Sequence, residues 1–280
     1  MANAQNKNEV QVVEEKSNVP AYLKEYSGAT GAENIDNEDI SIPRIKLAQG
    51  LSPEVQDGTV PLGALFLNIT GEVLAGPGDP LRFVPIATGK EYIIWNPDRN
   101  EGIIARARRA VVNGKVRYEW DQPNAEFDVK IKNGPKVSWR TGKFIGDDDL
   151  DQFGSSNPAD PASPPAATRH HNFIVALPDH GNMIAALSLS RSQEKRAKDL
   201  NAMFKLTNIP IFARFFYVRS VDDTANGDSF KNFKFAPAGF VQTSEQFELY
   251  KGLAETFSGE NYVVDQTGEN DSATDQEVPF

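Results

Sequence analysis

Cationic and aromatic side chains alternate through one window of the sequence, between Lys90 and Phe144. The window holds 12 Lys and Arg residues against 7 Asp and Glu residues, and it contains all three tryptophans of the chain. Single-stranded nucleic acid is held in this way without sequence readout, because cations follow the phosphates while flat rings stack on bases, at about 1–3 kcal/mol per base. The window therefore predicts a surface that binds single-stranded nucleic acid.

The candidate residues of this surface fall into two chemical classes. The predicted stacking rings are Trp95, Tyr118, Trp120 and Trp139. The predicted phosphate contacts are Arg106, Arg108, Arg109, Lys115, Arg117, Lys130, Lys132, Arg140 and Lys143. A second basic set could extend the same groove, namely Arg191, Lys195, Arg196 and Lys198. The alternative interpretation is that the rings fill a β core and the cations are solvated outer faces.

The clearest element in the window is a β-hairpin around Asn113-Gly114. This residue pair tolerates positive φ at both positions of a two-residue type I′ turn. The turn fixes a register in which Val111 faces Val116 and Ala110 faces Arg117. The side-chain period of two places on one face Arg109, Val111, Val116 and Tyr118, and on the other Arg108, Ala110, Val112, Lys115 and Arg117. The second face is predicted to be strongly basic and to meet solvent or a ligand.

The elements around this hairpin are predicted to be mainly strands. Short β-branched or aromatic runs separated by Gly, Pro and Asn turns predict strands at 64–69, 81–86, 91–95, 102–112, 115–120, 127–131, 173–177, 184–189, 211–218 and 230–235. One helix is expected from the capping-box spacing of Ser190 and Gln193 through about Lys205, and a second over 244–257. The pattern predicts a β-rich α+β fold with one or two helices.

Composition and charge exclude several classes of function. The chain has 280 residues, a net charge of -10 and no cysteine, which excludes disulfides, thiolate zinc sites, iron–sulfur clusters and a cysteine nucleophile. Residues 81–235 carry 23 basic and 18 acidic side chains, whereas 1–80 carry 5 and 12, and 236–280 carry 1 and 9. No run of 18 apolar residues occurs and the N-terminus lacks an apolar signal region, so we expect a soluble protein with no membrane association.

The residues that could perform catalysis form no convincing constellation. No zinc-protease, nucleophile-elbow, dinucleotide-binding or Walker-type motif occurs. The acidic run of Asp147, Asp148, Asp149 and Asp151 could hold Mg²⁺ for nuclease chemistry, but such a run in a Pro/Ser-rich loop is more typical of a solvated surface. The same holds for a metal at His170 and His171, which lack further spaced ligands. We expect no enzyme and no cofactor, with a metal-dependent nuclease as the weakest alternative.

The C-terminal segment is acidic and ends in an apolar tip. Residues 258–280 cannot bury enough apolar surface to fold, which predicts a disordered tail. A terminal Pro-Phe suits a peptide anchor whose ring enters an apolar pocket with a basic rim. The tip resembles that of bacterial single-stranded-DNA-binding proteins, which ends in acids, an aliphatic residue, Pro and Phe. The resemblance implies that replication and recombination proteins, such as a polymerase, a helicase or RNA polymerase, are recruited by Asp275, Glu277, Val278, Pro279 and Phe280.

The body of the chain resembles the larger single-stranded-DNA-binding proteins of tailed bacteriophages. The resemblance lies in Ile42–Val55 (IPRIKLAQGLSPEV), the Tyr92–Trp95 strand and the block His170–Phe204. It implies an elaborated OB-like β-barrel, sequence-independent binding of single-stranded DNA in phage replication and recombination, and a location in the host cytoplasm.

The expected organisation has four parts. These are a disordered arm over 1–39, an OB-like core over 40–243, a helix over 244–257 and the acidic tail over 258–280. The alternative function, from a different class, is a non-enzymatic virion structural or scaffold-associated protein. In that case, the basic face of the hairpin would meet an acidic neighbouring subunit.

Overall fold

A computed structural model describes residues 41–97, 102–131, 134–225, 227–258 and 263–264. Its strands are β1 (Ser41–Ile42), β2 (Ile45–Leu47), β3 (Leu65–Leu67), β4 (Val73–Ala75), β5 (Leu81–Trp95), β6 (Ile103–Val112), β7 (Lys115–Trp120), β8 (Glu126–Lys130), β9 (Lys136–Arg140), β10 (Ala167–Leu177), β11 (Met183–Ser190), β12 (Arg214–Ala225), β13 (Asp228–Phe240) and β14 (Val263–Val264). Its helices are α1 (Pro53–Gln56), α2 (Glu194–Lys205) and α3 (Ser244–Thr256).

The 15-residue strand β5 organises the main seven-stranded sheet. One of its edges pairs with β10 along most of its length, with a bulge at Ile174/Val175. Its other edge pairs with β12 at Leu81–Phe83 and with β6 from Tyr92 to Trp95. The sheet continues through β11 beside β10, β13 beside β12 and β7 beside β6, and all these pairs are antiparallel. The two strands predicted at 81–86 and 91–95 are therefore one, because β10 pairs across both.

Three small sheets accompany the main one. The strands β2, β3 and β4 form an antiparallel sheet, β8 and β9 form a hairpin, and β1 pairs in parallel with β14. The strand β14 lies within the segment 258–280, and its Val264 is buried in a core cluster.

Each face of the main sheet has its own core. On one face α2 packs its Leu200 and Phe204 against sheet residues such as Phe173 and Phe216, and the β2–β3–β4 sheet joins the same cluster. On the other face Tyr250 of α3 is buried beside residues of β5, β10 and β12. A separate cluster lies at the β6–β7 end of the first face, where β8 and β9 cover the sheet with Val129 and Trp139.

The two predicted helices form close to the expected positions. The helix α2 begins at Glu194 after a 3-10 turn at Arg191–Gln193, and Ser190 makes no side-chain cap hydrogen bond, so the expected capping box does not form. At α3 the amide N of Gln246 donates to Thr243 Oγ1 over 3.2 Å, which caps the first turn.

The prediction of a β-rich fold with few helices is confirmed. The described strands do not close into a barrel, since the main sheet runs from β11 at one end to β13 at the other. The closed OB-like barrel is thus not seen in the described part. No helix in the described ranges is long and apolar enough to cross a membrane.

Candidate nucleic-acid interface

The predicted β-hairpin forms as a two-stranded ribbon, β6–β7. Asn113 and Gly114 both have positive φ, 52° and 74°, as a type I′ turn requires. Val111 pairs with Val116 and Ala110 with Arg117, so the predicted register is confirmed. The assignment of side chains to the two faces of the ribbon therefore also holds.

Several predicted phosphate contacts on and beside the basic face of the ribbon form ion pairs with acids of the same chain. Arg106 Nη1 lies 3.5 Å from Glu91 Oε2, and Lys143 Nζ lies 3.8 Å from Glu119 Oε1. Arg117 forms an ion pair with Asp147 and stacks its guanidinium over the Phe144 ring. We call this surface the acid-paired face; its members are Glu91, Arg106, Arg108, Lys115, Arg117, Glu119, Lys143, Phe144 and Asp147.

The other predicted phosphate contacts lie in several places. Arg108 and Lys115 are exposed on the acid-paired face. Lys130 and Arg140 are exposed on the outer side of the β8–β9 hairpin, where Arg140 lies directly opposite Glu126. Lys132 lies outside the described residues. The predicted cations therefore do not form one continuous groove.

The predicted exposure of the three tryptophans is wrong. Trp95, Trp120 and Trp139 are 7%, 2% and 5% exposed, which leaves no ring face open to a base. Trp120 and Trp139 belong to the cluster under the β8–β9 hairpin, because the period of two points both rings inward. Trp120 Nε1 also donates to Asp148 Oδ2 over 2.8 Å. These rings stabilise the core, and of the predicted stacking rings only Tyr118 is part-exposed.

Tyr118 lies on the opposite face of the ribbon, beside a second tyrosine. Its ring centroid is 5.2 Å from that of Tyr92, with the two ring planes at 67°. Lys90 Nζ lies 4.4 Å from the centroid of Tyr118 and 5.7 Å from that of Tyr92. Arg109, which is exposed, pairs across the ribbon with Tyr118. Tyr92 is buried, so it supports the Tyr118 ring from below.

The neighbouring strand β10 adds further cations to this face. Arg169 pairs with Tyr92 across the sheet, and its Nε donates to Tyr92 Oη over 3.2 Å. Arg169 Nη1 and Lys198 Nζ both contact Glu194 Oε1, at 2.8 Å and 3.0 Å. We call this surface the tyrosine face; its members are Lys90, Tyr92, Arg109, Tyr118, Arg169, His171, Glu194 and Lys198.

The pKa values of His171 and Glu194 reflect both burial and the positive charge of the tyrosine face. Burial lowers the pKa of His171 to about 4; Glu194 opposes this shift, while Lys90, Arg169 and Lys198 add to it. Burial of the Glu194 carboxyl alone would raise its pKa, but Lys198 and Arg169 outweigh that effect and lower it. The low pKa makes His171 neutral near pH 7. A surface of this kind attracts a phosphate backbone.

The tyrosine face is assembled from distant parts of the chain at the edge of two core clusters. It lies between the cluster beneath α2 and the cluster beneath the β8–β9 hairpin, and neither of them covers Tyr118 fully. Its residues come from β5, β6, β7, β10 and α2, which the sheet brings together over large sequence separations. Lys90 belongs to the predicted basic window and Lys198 to the second basic set, whereas Arg169 and His171 were not among the predicted nucleic-acid contacts.

The acidic run that could have served a nuclease has structural contacts. Asp147 pairs with Arg117, and Asp148 Oδ2 accepts from Trp120 Nε1 and from the amide N of Gly142, both over 2.8 Å. Within the described ranges no group of three or more His, Asp or Glu side chains could hold a metal ion. The predicted partner anchor, 275–280, lies outside the described residues.

Comparison with known proteins matches the chain to a family model. The model is described as Pam3 phage gp34-like protein, and it matches residues 12–262. No curated protein and no solved structure matches the chain.

Proposed function

We propose that this chain, a phage protein that belongs to the Pam3 phage gp34-like protein family, binds single-stranded DNA without sequence preference in phage replication and recombination. The tyrosine face is the binding surface. The observation that carries the proposal is the part-exposed Tyr118 ring, which stands beside Arg109 and under the ammonium of Lys90.

The interaction free energies favour a stacked base over the Lys90 ammonium at the Tyr118 ring. Lys90 covers one face of Tyr118, and a cation–π contact at an exposed site contributes about 0.5–1 kcal/mol. A base stacked on an aromatic ring contributes about 1–3 kcal/mol. A base can therefore displace the ammonium, which then pairs with the adjacent phosphate. An OB barrel is not needed for this, because an open sheet also presents a ring between cations.

The salt dependence of binding tests the proposal. Lys90 and Arg109, together with the one positive charge that Arg169 and Lys198 keep beyond Glu194, give the tyrosine face three net positive charges for phosphates. For single strands this predicts that log affinity falls with log salt at a slope of about -2. The measurement is the anisotropy of a labelled oligo-dT titrated at several salt concentrations. Tight binding with a slope near zero would contradict the proposal.

The C-terminal anchor forms a second part of the proposed function. Asp275, Glu277, Val278, Pro279 and Phe280 are proposed to recruit a replication or recombination protein. Deletion of 275–280 should leave the affinity for oligo-dT equal or tighter, since acids that compete with phosphate are removed. The same deletion should abolish capture of a partner from infected cells. If capture of the partner is unchanged, the proposed role of 275–280 as an anchor is wrong.

The alternative, a virion structural or scaffold-associated protein, predicts that the acid-paired face of the ribbon meets protein. The ion pairs at Arg106, Arg117 and Lys143 leave it less positive charge for a polyanion. Co-purification with particles, together with no shift of a labelled oligonucleotide, would select this alternative.

A further inference from the structure

The free end of the β6–β7 ribbon carries an exposed apolar pair. Val111 and Val116 are direct cross-strand partners, and they are 61% and 50% exposed. They lie on the same face of the ribbon as Arg109 and Tyr118, one row nearer to the turn. This face thus continues the tyrosine face to the end of the ribbon.

The ribbon end extends beyond the sheet. The last residue of β6 that pairs with β5 is Ala107, whereas pairing with β7 continues to Val112 and Lys115. Five further residues at about 3.3 Å each place the turn roughly 17 Å beyond the last β5 contact. The valine pair is therefore free to enter a narrow space that the body of the protein cannot enter.

The charges around the valines indicate what the pair contacts. The exposed Arg109 lies next to the pair on the same face, and the exposed Arg108 and Lys115 lie on the opposite face of the ribbon, so the partner is expected to be a polyanion with apolar surfaces. Stacked bases in a nucleic acid have this chemistry. Val116 and Tyr118 are two residues apart, or about 6.6 Å, which is close to two base steps of about 3.4 Å along one strand.

We propose that the end of the ribbon is a wedge that separates DNA strands at a junction between duplex and single strand. Val111 and Val116 pack against the terminal base pair and take the place of its stacking neighbour, as apolar wedges do elsewhere. The released strand passes onto Tyr118. This activity rests on the proposed binding of single-stranded DNA and goes beyond it.

A wedge and a protein that only binds single strands have different effects on the opening of a duplex. Any protein that binds single strands shifts a duplex toward opening to an extent set by its affinity for single strands. A wedge also raises the rate of opening at the fork. A variant with unchanged affinity for oligo-dT and a slower opening rate therefore identifies the wedge.

The test uses a forked duplex with a fluorophore and a quencher at its junction. V111T/V116T keeps the branched shape of both side chains and replaces a methyl group by a hydroxyl in each. Because both sites are exposed, the fold is retained, which a thermal melt verifies. Opening should slow by about fivefold or more through the lost apolar contact, with oligo-dT affinity within about twofold. The matched control is Leu206→Thr, an exposed apolar residue after α2, which should open the fork like the wild type.

The outcomes separate this inference from the function on which it rests. If the wild type binds oligo-dT and the valine variant opens the fork equally fast, the wedge is overturned and the binding function stands. If the wild type binds oligo-dT but does not accelerate opening, the wedge is again overturned. If the wild type does not bind oligo-dT, the binding function is overturned and the wedge with it.

Discussion

The two faces of the β6–β7 ribbon both carry arginine and lysine, but these cations contact different groups. On the acid-paired face Arg106, Arg117 and Lys143 meet carboxylates of the same chain. On the tyrosine face Lys90 lies over Tyr118, whereas Arg169 and Lys198 share a single carboxylate, that of Glu194, which neutralises only one of their two charges. A cation already paired with a carboxylate gains little from a phosphate, because it loses one anion to gain another. The contacts of a cation, and not its presence alone, therefore determine whether it can form part of a polyanion site.

Substitution of Tyr118, the part-exposed ring of the tyrosine face, should change the affinity for oligo-dT most. Tyr118→Ala removes the stacking surface and should weaken oligo-dT binding by about 10- to 100-fold, equivalent to roughly 1–3 kcal/mol. Tyr118→Phe keeps the ring and should bind like the wild type. The measurement is anisotropy with labelled oligo-dT. The matched control is Tyr217→Ala, which removes a part-exposed tyrosine on β12. An equal loss of affinity in that variant would show that the effect is not specific to the tyrosine face.

The second prediction concerns the pH dependence of the free energy of unfolding, to which His171 of the tyrosine face contributes. The pKa of His171 is about 4 in the folded protein against 6.5 for the unfolded chain. The unfolded state therefore binds the extra proton first as pH falls, and stability is lost between pH 6.5 and 4. The loss through this ring is about 1–2 kcal/mol, since solvent screens a part-exposed group.

Urea unfolding at pH 7 and at pH 4.5 measures this loss. His171→Gln lacks the titrating ring, so its stability should fall less than that of the wild type over the same interval. Equal losses in the two proteins would show that the tyrosine face does not depress the pKa of this histidine.

The third prediction compares one arginine from each face. Arg109→Gln should weaken oligo-dT binding by about fivefold at low salt and make the salt slope shallower by about 0.7. Arg117→Gln should change affinity by less than about twofold, because Asp147 already neutralises this guanidinium. The same anisotropy titrations measure both. A larger effect at Arg117 would reverse the roles of the two faces.

The smallest expected effect is a gain in affinity. Glu194→Gln removes the carboxylate that holds Arg169 and Lys198, so both cations become available to phosphate. Binding should tighten by about two- to threefold at low salt, and the gain should vanish at high salt. Glu248→Gln on α3 removes the same charge from the other side of the sheet and serves as the control. Weaker binding in Glu194→Gln would mean that the carboxylate positions these cations and does not compete with phosphate.

The sequence was sufficient where the determinants are local. Asn113-Gly114 is a turn whose φ values only a few residue types tolerate, so the hairpin and its register could be predicted. The period of two also gave the two faces of the ribbon correctly. It could not say which rings are covered, because Trp120 is buried by a second hairpin. Its strand β9 was missed, although Val137 and Trp139 alternate with polar residues as in a half-buried strand.

The tyrosine face depends on pairing between distant segments. Arg169 reaches Tyr92 over a separation of 77 residues, through the pairing of β5 with β10. Local patterns cannot predict which strands pair at such distances. The Arg169-His170-His171 segment therefore suggested only a weak metal site, although Arg169 and His171 line the same face as Tyr118.

Photochemical crosslinking of an oligonucleotide that carries 5-bromodeoxyuridine is the most direct test of the tyrosine face. Mass spectrometry of the crosslinked peptides identifies the side chain against which the base stacks. The account predicts crosslinks on the peptide that contains Tyr118, and their loss in Tyr118→Ala. Crosslinks confined to the outer side of the β8–β9 hairpin, at Lys130 or Arg140, or an absence of crosslinks, would contradict it.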